Sequence, residues 1–163
     1  MPPARPQLKW LWISLAVIVL DQLAKQVAEH TLTPHQAVPL TPFFDWYLTY
    51  NTGAAFSFLA GAGGWQRWLF TAIAVVISAV ILQWLRNLPR EETLTAVSLA
   101  LILGGAIGNL IDRVYLGHVI DYIQVWLGSY PWPAFNIADA AISVGAIMLV
   151  LSSLTSIGKS DSK

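Results

Sequence analysis

Asp21, Asp112, Asp121 and Asp139 are the residues of this chain best placed to do chemistry, because each stands in or beside an apolar stretch. A charged side chain at mid-bilayer costs about 2.5–3.5 kcal/mol on insertion scales, so such groups face one another or a polar cavity. Two carboxylates in one low-dielectric site cannot both ionise cheaply, and they come to share a proton. The ionised member can take a proton from water while the protonated member donates to a carbonyl oxygen. That is aspartic peptide hydrolysis, and it calls for no cofactor and no metal.

Each of these residues also has a structural reading. Asp21 and Lys25 are four apart and can pair along one helix. Asn109, Asp112 and Arg113 fall near one helical face, where the adjacent Asp112 and Arg113 are expected to neutralise each other. Asn136-Ile137-Ala138-Asp139 has the spacing of a helix cap with an acid at its third residue. Asp121 sits among Val119, Ile120, Tyr122 and Ile123, which argues for a half-buried position. His118 reads as an interfacial histidine.

The elements that must position these groups are membrane spans. The hydrophobic fraction is 56% and the charged fraction 11%, about half the charge expected of a soluble domain. Four stretches are long enough to cross a bilayer, which takes about 20 residues. The first begins near Trp10, is uncharged to Leu20, and continues through Asp21 and Lys25 toward Ala28. The second runs from Trp68 to Leu85 and the third from Thr93 to Ile111. The fourth begins near Asn136, carries Asp139 early, and is uncharged from Ala140 to Ile157. Gly104, Gly105, Gly108 and Gly145 allow close helix approach. The expected fold is therefore an all-α membrane protein of four transmembrane helices in a single domain spanning 1–163. Arg5 and Lys9 before the first stretch resemble the start of a cleaved signal peptide, but the charged helical continuation reads as a retained anchor.

Positive charge sets the expected orientation. Arg5, Lys9, Arg86, Arg90, Lys159 and Lys163 share one side, and Lys25, Arg67 and Arg113 the other. Both termini are thus expected in the cytoplasm, and all four aspartates converge on the outer leaflet. Trp10, Trp12 and Trp84 suit the inner interface, and Trp46, Trp65, Trp126 and Trp132 the outer one. Of the two long outer connections, the first reads as a strand over Phe43–Tyr50, a turn at Asn51-Thr52-Gly53, and a second apolar stretch from Ala54 to Leu59. A hairpin lying on the membrane follows, with Gly61-Ala62-Gly63-Gly64 as a flexible lead into the second helix. The second connection, an extracytoplasmic loop, holds a short alternating run over 118–122. Zero formal net charge and no basic patch exclude a nucleic-acid partner. The absence of cysteine excludes disulfides and thiolate chemistry.

Five segments in order then resemble the lipoprotein (type II) signal peptidases. They are Asp21-Gln22-Leu23-Ala24-Lys25, Asn51-Thr52-Gly53-Ala54-Ala55-Phe56-Ser57, Gly108-Asn109-Leu110-Ile111-Asp112-Arg113, Gly117-His118-Val119-Ile120-Asp121-Tyr122 and Pro133-Ala134-Phe135-Asn136-Ile137-Ala138-Asp139. Ala140 departs from the serine that members often carry there. The resemblance implies a bacterial inner-membrane aspartyl endopeptidase, monomeric, acting on diacylglyceryl-modified prolipoproteins among membrane lipid. It implies catalytic roles for Asp121 and Asp139. Asp21, Lys25, Asn51, Gly53, Asn109, Asp112, Arg113 and Asn136 would shape the site and hold the peptide. It also implies a small extracytoplasmic β-cradle.

Three rival chemistries use the same region. Ser57 with Lys25 could form a serine–lysine peptidase. Intramembrane acids could relay protons in a transporter, although no polar path reaches the cytoplasmic half. His118, Asp121 and Asp139 could hold a metal, although no HExxH-type spacing supports it.

Overall fold

The computed structural model describes residues 7–53 and 63–160. A 3-10 turn, Gln7–Trp10, leads into helix α1, Leu11–Thr31. Strands β1 (Ala37–Thr41) and β2 (Phe44–Asn51) follow, then helices α2 (Trp65–Asn87) and α3 (Thr93–Tyr115). Strands β3 (Val119–Leu127) and β4 (Tyr130–Pro131) precede the last helix, α4 (Ile137–Ser160). Among the described residues four helices are long and apolar enough to span a membrane, as the hydropathy predicts. Helix α3 runs a turn beyond Ile111 and carries Asp112 and Arg113 at its end.

Helix α3 is the centre of the bundle and packs against α1, α2 and α4. Its apolar window is 61% buried against 11% for α4, so α4 has most of its surface left for lipid. Small residues make the close approaches possible. A Cβ on Gly104 would stand 2.8 Å from the Val17 Cβ of α1, and one on Gly145 would stand 2.7 Å from the Ser98 carbonyl oxygen. A Cβ on Gly105 would run into the carbonyl oxygen of Ala138, beside Asp139. At the end away from the strands, Ile81 and Leu85 of α2 meet Leu99 and Leu103 of α3. Trp68, Val76, Ile147 and Leu154 point outward, as lipid-facing positions should.

The strands form one antiparallel sheet in the order β1-β2-β3-β4 at the end of the bundle where α1 and α3 finish. The strand expected over Phe43–Tyr50 is there as Phe44–Asn51. Among the described residues its partners are β1, which precedes it, and β3, from the other connection. Ala54–Leu59 and Gly61-Ala62 lie outside the described residues. The short run expected over 118–122 is the start of a nine-residue strand, so the two connections form one sheet. Leu48, Ile120 and Tyr122 on one face pack on Ala28 of α1. That fixes the sheet to the bundle and turns Asp121 to the opposite face.

Candidate active site

Lys25 anchors the polar interior. Its Nζ lies 2.7 Å from Asp21 Oδ2 and 2.7 Å from Asp112 Oδ2, and it donates to Asn109 Oδ1 at 3.1 Å. Three ammonium protons thus have three acceptors, in a setting where Lys25 is 1% exposed and Asp21 0%. Each carboxylate also holds backbone. Asp21 Oδ1 accepts from the N–H of Ala138 at 2.9 Å, in the first turn of α4. Asp112 Oδ2 accepts from the N–H of Ile120 at 3.2 Å, one residue before Asp121. The cluster therefore sets the position of both segments that carry Asp121 and Asp139. The expected Asp21–Lys25 pair is present.

Among the described residues Asp112 and Arg113 form no direct ion pair with each other. Consecutive helical residues point about 100° apart and cannot face each other. Asp112 turns toward α1, where Gln22 Nε2 also donates to its Oδ1 at 2.8 Å. Arg113 turns toward α2, stacks over Phe70 at 5.6 Å, and donates from Nη2 to the Gly53 carbonyl at 3.2 Å.

Above the ionic cluster three asparagines hold the two remaining acids. Asn109 Nδ2 donates to Asp139 Oδ1 at 2.8 Å. Asn136 Nδ2 lies 2.7 Å from Asp121 Oδ1, and Asn51 Nδ2 donates to Asp121 Oδ2 at 3.1 Å. Asn136 is also the cap that its spacing predicts: Asp139 N–H donates to Asn136 Oδ1 at 2.9 Å, and Asn136 N–H donates back to Asp139 Oδ2 at 3.3 Å. The cap and the polar site are one arrangement, joined at a single side chain. Asn51 in turn accepts from Gly53 N–H at 2.9 Å, which ties the turn after β2 to Asp121.

Asp121 and Asp139 both line a cleft of about 600 Å³. Its walls are Phe70, Ile73 and Ile77 of α2 and Ala140 and Val144 of α4, with Ala106 of α3 between them. Burial and the nearby charge of Asp139 push the Asp121 carboxyl up to about 7, against the opposing pull of Asn51, Lys25 and Asn136. An acid in that range is poised to hold or release a proton near neutral pH. All ten residues expected at the site come together here; only the partner of Arg113 differs.

The rivals fare differently. Ser57 lies outside the described residues, and Lys25 is engaged by Asp21, Asp112 and Asn109. His118 stacks on the Tyr50 ring, centroids 4.6 Å apart. Among the described residues no three histidine or acidic side chains converge in a metal-binding group. Two contributors were missed in the sequence. Gln22 bonds Asp112 and the Gly108 carbonyl, and its signal was a polar residue inside an apolar span. Arg67 donates to the carbonyls of Arg113 and Val114 at 2.7 and 2.6 Å, closing the end of α3 and fixing α2 beside it.

The profile of a family described as signal peptidase (SPase) II matches residues 13–155. A protein of Pseudomonas putida named lipoprotein signal peptidase is 58% identical over 147 residues, covering 89% of this chain and 86% of that protein. Its namesake in Pseudomonas aeruginosa is 55% identical, covering 89% and 87%. A solved structure described as a bacterial membrane enzyme superposes with a TM-score of 0.84 at 27% identity, over 93% of this chain and 90% of that one. With the profile spanning nearly the whole chain and curated relatives matched along most of their length, this chain belongs to the signal peptidase II family.

Proposed function

We propose that this membrane peptidase removes signal peptides from diacylglyceryl-modified prolipoproteins, with Asp121 and Asp139 as the reacting pair. The observation that carries the reading is the shared asparagine. Asn136 donates to both carboxylates, from its side-chain amide to Asp121 and from its backbone N–H to Asp139, and both acids line an apolar cleft between lipid-facing helices. A peptide bond laid across the cleft meets two acids with one proton between them. The ionised acid takes a proton from water as the water oxygen attacks the scissile carbonyl carbon, and the other acid gives its proton to the carbonyl oxygen. The tetrahedral diol collapses, the C–N bond breaks, and a proton passes to the leaving cysteine nitrogen. Because the two acids are coupled, the shared proton belongs to the pair.

The other polar residues hold this geometry. Asn109 and Asn51 keep the two carboxylates turned toward the cleft, while Arg113 holds the Gly53 carbonyl at its rim. Asp21, Lys25 and Asp112 fix α4 and β3 from below. The apolar walls suit a signal helix and acyl chains arriving sideways from the bilayer, and one copy of the chain supplies every side chain named.

Incubating purified protein with a lipidated prolipoprotein is expected to release the signal peptide. The kcat/KM profile should fall as pH rises through about 7, where burial and Asp139 place the Asp121 carboxyl. Above that range both acids ionise, and the proton needed by the carbonyl is gone. A rate still climbing well above neutrality would exclude a shared proton.

The charge asymmetry supports placing the sheet end on the non-cytoplasmic side of the bacterial inner membrane, with both termini inside. A reporter active only outside the cytoplasm should then work when fused near Gly63 or Ser129 and fail near Leu88. The opposite pattern would put the site on the wrong face for exported substrates.

A further inference from the structure

Asp121 is bordered by a second cavity. A notch of about 180 Å³ is lined by Tyr47, Thr49, Tyr50, Asn51, Pro133 and Ala134 together with Asp121 itself. It shares Asn51, Asp121, Pro133 and Ala134 with the large cleft, so the two meet at the carboxylate. Their characters differ. The cleft is walled by lipid-facing helices, whereas the notch lies against β2 of the sheet, which carries Thr49 directly opposite Asp121 in the strand register. Across the irregularity of β2 between Trp46 and Thr49, Tyr47, Thr49 and Asn51 line the notch beside Asp121, while Leu48 packs against Ala28 of α1. The Tyr47, Thr49 and Asn51 side chains, which end in hydroxyl or amide groups, thus border the carboxylate on the notch side.

Hydrolysis in this site has a supply problem. A signal helix with two acyl chains fills the apolar cleft and closes that side to water, yet one water is consumed per bond cut. From the notch we infer that it delivers the hydrolytic water to Asp121 while lipidated substrate occupies the cleft. Its volume admits several waters at about 30 Å³ each, and its hydroxyl and amide groups offer the two to four polar partners an ordered water needs. This inference rests on the aspartyl reading above. Tyr47 and Thr49 line the path by which the water reaches Asp121, without contacting substrate.

The test fills the notch from β2 and then reopens it from another wall. Thr49→Phe keeps a strand-compatible residue while occupying the path. It should lower single-turnover cleavage of a lipidated prolipoprotein by about 10-fold or more, a barrier increase of roughly 1.4 kcal/mol, with substrate affinity little changed. Tyr47→Ala in the same chain frees space beside the new ring and should recover much of the rate, which a misfolded variant could not do. Cleavage by Thr49→Phe at the parent rate, or a loss that Tyr47→Ala leaves in place, overturns the inference. So does a loss confined to affinity for substrates with a long segment after the cysteine, which would make the notch a peptide subsite. Asp121→Asn, run alongside, reports separately on the aspartyl reading: if it cleaves normally that reading fails, whatever Thr49 does.

Discussion

Asp121→Asn and Asp139→Asn should each cut single-turnover cleavage of a lipidated substrate by about 10³-fold or more, and the double variant should be scarcely worse than either. The reason is that neither acid has a separate task to lose: one proton and one base are distributed over the pair. Binding is expected to persist, because the apolar cleft is untouched. The hydrogen bonds add a measurable side effect. Both oxygens of Asp121 face amide donors, Asn51 at 3.1 Å and Asn136 at 2.7 Å, and both oxygens of Asp139 likewise accept from N–H groups. An asparagine at either place sets a donor against a donor, so a modest fall in thermal stability should accompany the loss of turnover. Either single variant working near the parent rate, or two losses that simply multiply, would remove the dyad and turn attention to Asp112 or Ser57.

The second large effect is structural. Lys25→Met should destabilise the folded protein by about 3–5 kcal/mol, the usual consequence of removing one partner from a buried ionic group. Asp21 and Asp112 would be left facing each other at 0% and 2% exposure without a cation. The expected readout is a lower melting temperature in detergent and less folded protein in the membrane. Neutralising the carboxylates as well, by Asp21→Asn and Asp112→Asn, should recover part of the stability without restoring full turnover. A Lys25→Met protein that melts with the parent would mean the cluster contributes nothing to the fold.

The spans, the convergence of the acids and the cap at Asn136 were legible in the sequence because each depends on local rules: hydropathy over one helix length, helix polarity, and a four-residue spacing. What was not legible depended on distant partners. Strand β2 pairs with β3 far along the chain and with β1, which is exposed throughout and so shows no alternation to betray it. Asn109 gave no sign that it would join Lys25 to Asp139, since a bond on each side of one amide is a matter of three-dimensional placement. Asp112 and Arg113 form no direct ion pair for a local reason: adjacency in sequence is not adjacency on a helix.

The arrangement of charge around Lys25 also bears on how the spans are joined. Asp21 and Lys25 belong to one helix, a turn apart, so the first span carries its own counter-charge from the moment it forms. The third span has no such provision. Asp112 finds its cation on α1 and its amide donor on Gln22, while Arg113 is directed elsewhere. Asp112 thus has its ion-pair partner and its amide donor on α1, across the packing of the two spans. Packing of α3 on α1 thereby completes the cluster whose carboxylates hold the sheet strand at Ile120 and the final helix at Ala138.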